Sequence, residues 1–83
     1  MAKHSHTFVE TYDGLVGFGL NRETDENTII YYLQKFSDDE LMAVMKSRLK
    51  DADLAALFNI LSELLRKNLD EEEYHRLFLK EEH

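Results

Sequence analysis

The chain has 83 residues, 43% hydrophobic and 33% charged, with a net charge of −7, no cysteine and no proline. That length allows one domain, and without thiols there are no disulfide staples, thiolate metal sites or thiol chemistry. The acidic balance opposes both the counterion release that drives nucleic-acid binding and adsorption to anionic lipid.

No apolar run approaches the ~20 residues of a membrane span, and no basic-then-apolar leader is visible. The expectation is a soluble, cytoplasmic protein with neither nucleic-acid nor membrane partners. Only three glycines are present, which with the missing proline favours helices joined by short connections.

Taken in chain order, residues 1–6 lack hydrophobic periodicity and read as a disordered N-terminal tail, followed by a single helical domain over 7–81. Thr7-Phe8-Val9-Glu10 has the form of a capping box. Phe8, Val9, Tyr12, Leu15 and Val16 share one face of the helix it would open, near 7–19. Gly14, Gly17 and Gly19 each cost about 1 kcal/mol against alanine in a helix interior, so this is the weakest helical segment. The same glycines resemble a phosphate loop only in outline, since no lysine with serine or threonine follows them.

Asn21-Arg22-Glu23 is a polar break, and Thr24 is a cap for a helix near 25–36. There Ile29, Ile30, Tyr32, Leu33 and Phe36 face inward and Tyr31 points the opposite way. Phe36-Ser37-Asp38-Asp39-Glu40-Leu41 then combines a Ser37 cap, a Glu40 box partner and a Phe36–Leu41 staple at the start of a helix near 38–50. Leu41, Met42, Val44, Met45 and Leu49 form its apolar side. Arg48 lies within that arc, where it snorkels or pairs with an acid.

Asp51 caps the central helix, near 52–68. At about 100° per residue, Leu54, Leu57, Phe58, Ile60, Leu61, Leu64 and Leu65 fill an arc roughly 160° wide. One packing seam needs less, so this helix should meet at least two neighbours. Leu69, Asp70, Glu73 and Tyr74 repeat the staple and box at the head of a last helix near 71–81, striped by Tyr74, Leu77 and Phe78. The fold expected is all-α, a small compact bundle of four to five short helices.

Charge is unevenly placed. Residues 23–40 hold six acids and one base, residues 41–69 five bases and three acids, and residues 70–83 six acids and two bases. Much of the acid sits at helix starts, where the macrodipole favours it.

Two metal constellations are legible. Glu72 and His75 have the Glu-x-x-His spacing of helical carboxylate metal sites, which need further carboxylates to be complete. Ala2-Lys3-His4, with the initiator methionine removed, offers a terminal amine, amide nitrogens and imidazole to a square-planar Cu(II) or Ni(II) ion, with His6 as an outer ligand. No catalytic constellation emerges: the four serines lack a base beside them and no paired acids define a cleft. The remaining signal lies in surfaces. Phe18, Leu20, Tyr31, Met42 and Met45 are residue types enriched at protein interfaces. The sequence therefore supports a non-catalytic protein-interaction or regulatory module, with a homodimer among its candidate states and no cofactor. A small metal-binding protein using His4 and His6, or Glu72 and His75, is the alternative.

Overall fold

The computed structural model describes residues 6–81. The chain is a small all-helical bundle of five short helices, with no strand among the described residues. They are α1 (Phe8–Thr11), α2 (Arg22–Phe36), α3 (Asp39–Arg48), α4 (Asp51–Asn68) and α5 (Glu71–Glu73), the last continuing as a π-helical turn over Tyr74–Phe78. The described residues divide into two units, residues 6–48 and residues 49–81.

In the first unit, the helix expected over 7–19 is a single turn. Thr7 makes no side-chain cap. Its carbonyl instead accepts from the Glu10 N–H at 3.1 Å and from Thr11 Oγ1 at 3.2 Å. After Tyr12 the chain leaves helical geometry. Gly19 has φ +94°, a conformation that side chains disfavour. A Cβ on Gly14 would stand 2.6 Å from the Tyr12 hydroxyl, which donates to Leu15 O at 2.6 Å. The glycines here make a turn-rich strap.

That strap lies along α2, and it reverses the orientation expected for that helix. Outside regular helix its backbone groups need partners, and it finds them on the polar side of α2. Val9 N–H donates to Gln34 Oε1 at 2.9 Å. Gly17 N–H donates to Thr28 Oγ1 at 3.0 Å, and the same hydroxyl donates back to Gly17 O at 3.1 Å. Thr28, 4% exposed, is the one buried residue among those described.

Tyr31, expected to point to solvent, is half-buried on this side. Its ring lies 5.9 Å from that of Tyr12, which stacks on Phe8 at 4.9 Å, and Lys35 Nζ stands 5.0 Å from its centre. Tyr32, Ile29, Ile30, Leu33 and Phe36, expected inside, are exposed. Hydrogen-bond demand in the strap outweighs apolar periodicity in α2.

Two helix starts are also displaced. Asn21, rather than Thr24, caps α2, its side chain accepting from Thr24 N–H at 2.8 Å. Asp25, drawn into the first turn, accepts from Gly19 N–H at 2.7 Å. Asp38, rather than Ser37, caps α3, accepting from Leu41 N–H at 3.1 Å. Ser37 instead closes α2, its hydroxyl donating to Gln34 O at 3.1 Å.

In the second unit, Lys50 occupies the position before α4. Lysine has no acceptor, and the reciprocal half of the cap is made by Asp53, whose carboxylate accepts from Lys50 N–H at 3.0 Å. Asp51, the expected cap, is the first helical residue. At the other end Asn68 donates to Leu64 O at 2.8 Å. The box at Asp70 forms as expected: Asp70 accepts from Glu73 N–H at 2.8 Å, and Glu73 accepts from Asp70 N–H at 3.0 Å. The last turn loosens to a π geometry, with Leu79 N–H reaching Tyr74 O at 3.0 Å. Lys80, at φ 60°, turns the chain so that Glu81 N–H reaches His75 O at 3.0 Å.

Thr28→Val keeps the shape of the side chain but strips Gly17 of a donor and an acceptor together. Denaturant titration should show a loss of about 1–3 kcal/mol, largely restored in Thr28→Ser. Equal losses in the two variants would contradict a role for the hydroxyl.

Candidate functional site

The most prominent surface among the described residues is on α4. No apolar side chain is buried anywhere among them. On α4 the residues assigned to a core by periodicity lie in the open: Leu54, Leu57, Phe58, Ile60, Leu61 and Leu64 are 38 to 71% exposed. They stand on an 18-residue helix, about 27 Å long.

Its wide arc resolves into two seams. Ser62, Leu65 and Leu69 are half-buried, and with Tyr74 and Phe78 they line an open groove of about 520 Å³. Tyr74 stacks on Phe78 at 5.4 Å, and this aromatic pair forms the second wall. The other seam, carrying Leu54, Leu57, Ile60, Leu61 and Leu64, meets the groove at Leu61 and Leu64, which also line it, and stays 38 to 55% exposed. Polar residues flank the arc: Asp51 and Asp53 at the start of the helix, Arg66 and Lys67 in its last turn.

Chemically the groove is mostly apolar. Its polar residues are Ser62, Asn68 and Tyr74, and Asn68 is engaged on a helix carbonyl.

The residues singled out in the sequence fall elsewhere. Phe18 and Leu20 sit together, exposed, in the strap after α1, next to exposed Leu15 and Val16. Met42 and Met45 are half-buried on α3, and Tyr31 is engaged by Tyr12 and Lys35. Arg48 is exposed, as the last residue of α3.

Glu72 and His75 each have an ion-pair partner. Glu72 accepts from Arg76 Nε at 3.1 Å. His75 Nδ1 lies 2.6 Å from Glu81 Oε1, so that nitrogen carries the proton, a carboxylate being acceptor only. His75 Nε2 stands 3.9 Å from Glu71, and the ring meets Tyr74 edge-on at 5.7 Å. His6 is exposed and lines a shallow hollow with Glu10, Gln34 and Asp38. His4 lies outside the described residues. Among the described residues no three histidine, aspartate or glutamate side chains are grouped to hold a metal ion.

The one clear electrostatic shift is at Arg22. Its Nε donates to Glu26 at 2.6 Å, and this bond, with the carboxylate's charge, raises the guanidinium pKa above its ordinary value. It is a solvated ion pair on the first turns of α2, with no site around it.

No family model, curated protein or solved structure matches this chain.

Sequence reasoning passed over the α4 residues because leucine and isoleucine at helical spacing are ordinary core. The signal that marks them is arithmetic. An apolar arc far wider than one seam, in a chain whose other helices are short, asks for more cover than one neighbour gives.

Asp70 sets the second wall of the groove by fixing where α5 begins. Asp70→Ala should cost about 1 kcal/mol. It should also raise amide hydrogen exchange over residues 71–78 selectively, with α4 exchange unchanged. Uniform exchange across both segments would show that the cap does not hold the wall.

Proposed function

We propose that this protein is a non-catalytic interaction module of the cytoplasm whose docking surface is the apolar face of α4. The observation that carries the reading is the exposure of Leu54, Leu57, Phe58, Ile60, Leu61 and Leu64 on one continuous face. Monomeric soluble proteins rarely leave a contiguous apolar patch larger than a few hundred Å² uncovered, and larger ones mark interaction sites. Apolar centre and charged ends match the general anatomy of interfaces, whose cores lack charge and whose rims are polar. Among the described residues no helix is long and apolar enough to cross a membrane, and the net charge of −7 opposes adsorption to anionic lipid, which favours a protein as the occupant of this face.

The metal-binding alternative has no comparable support, because Glu72 and His75 each turn to other partners.

The test is the state of the full chain in its own cell. Recovered at native abundance, it should travel in a complex heavier than its 9.8 kDa. The Leu57→Glu/Leu61→Glu variant should return to monomer mass with its helical circular dichroism retained. A native chain that travels as a free monomer would overturn the reading.

A further inference from the structure

We propose that the partner on α4 is a second copy of this chain, paired antiparallel about a two-fold axis that crosses the leucine seam at the height of position 59. This rests on the reading of α4 as a docking surface and names its occupant. Three features of the helix carry it.

The first is the layout of the open seam. Leu54, Leu57, Leu61 and Leu64 follow the three-four spacing of a two-helix seam, and they are symmetric about position 59. When a second α4 runs the opposite way, Leu54 meets the second copy's Leu64 and Leu57 meets its Leu61, each layer occurring twice. Phe58 and Ile60, 71% and 55% exposed, fall at the axis, where each can pack on its own symmetry mate. Lys50 and Asn68 close the stack at both ends with a polar layer.

The second is charge. The helix starts with Asp51 and Asp53 and ends with Arg66 and Lys67. Antiparallel pairing sets Asp53 beside the second copy's Lys67 at both ends and opposes the two macrodipoles favourably. Parallel pairing sets like beside like.

The third is area. With about 200 Å² as the full surface of a large apolar residue, the six exposed ones offer on the order of 600 Å² per copy, or about 1,200 Å² in a dimer. That is the lower end of the range for stable interfaces. Within its own unit the segment carrying Tyr74 and Phe78 faces Phe58, Leu61, Leu64, Leu65 and Leu69 across an open groove, and Leu54, Leu57, Leu61 and Leu64 stay 38 to 49% exposed, available to a second helix.

The experiment uses the purified full chain in analytical ultracentrifugation from about 1 to 500 μM. A reversible shift to twice the monomer mass is expected. Asp53→Lys and Lys67→Asp should each weaken the dimer roughly tenfold, and the double variant should be clearly tighter than Asp53→Lys alone, because both symmetric pairs are re-formed with sign exchanged while the lost Asp53 cap on Lys50 N–H is common to the two. Because the chain has no cysteine, spin labels go in cleanly at Ala52→Cys and Asn59→Cys, two positions at the same angle on the helix. In the antiparallel dimer the label pair at position 52 is offset along the axis by about 21 Å and the pair at 59 by none. In a parallel dimer the two distances are equal.

Equal distances, or a double variant no tighter than Asp53→Lys, overturn the antiparallel pairing. A chain monomeric throughout the concentration range overturns the second copy as partner. In that case the interaction reading stands only if the native chain still travels in a heavier complex, so the two failures are separable.

Discussion

The structure turns on apolar surface that its own unit does not cover. A chain this short buries a modest fraction of its surface in any arrangement, and burial supplies most of the favourable free energy of folding. Here the richest apolar segment, α4, shares a groove with Tyr74 and Phe78 and still leaves Leu54, Leu57, Leu61 and Leu64 38 to 49% exposed. At about 25 cal/mol per Å², several hundred Å² of such surface corresponds to on the order of 10 kcal/mol. That equals the whole stability of an ordinary domain. Under the proposed pairing, association would continue the folding of this helix and complete a core.

The first unit is organised by the opposite demand. Its strap of glycines and exposed apolar residues cannot satisfy its own backbone, so it is tied to α2 at Gln34, Thr28 and Asp25. The tie fixes which side of α2 is covered. Tyr31 goes under, Tyr32 comes out, and the isoleucines and Leu33 face outward. Phe18 and Leu20 are presented on a backbone that Thr28 and Asp25 hold in shape.

Legibility in the sequence followed the range of the interactions involved. Local features were readable: the helical class, the long central helix, the box between Asp70 and Glu73, and the acidic helix starts all depend on residues a few positions apart. The displaced caps show the limit of that reading. Ser37 and Asp38 compete for one helix start, and Ser37 is taken by the end of α2, an event the pattern around α3 does not encode. The glycine segment failed as a helix because Gly19 needs a positive φ and Gly14 lies under the Tyr12 ring. The inversion of α2 was out of reach for a different reason. It depends on hydrogen bonds across 11 and 25 residues, whereas periodicity weighs apolar side chains alone. The α4 surface was legible as a helix and illegible as a site, since a leucine awaiting a partner and a leucine inside a core look alike in a sequence.

A net charge of −7 at first opposes self-association, because two like-charged chains must approach. The distribution resolves this. Residues 41–69, which contain α4, hold five bases and three acids, while the excess acid lies in residues 23–40 and 70–83. Most of that acid sits in first turns, on Glu23 and Asp25, Asp39 and Glu40, and Glu71 to Glu73, where it is compensated by the positive ends of the helices. At physiological salt, charges more than about 8 Å apart are largely screened. The excess acid thus belongs to segments other than α4, while α4 itself carries acids in its first turn and bases in its last, opposite in sign and placed at opposite ends.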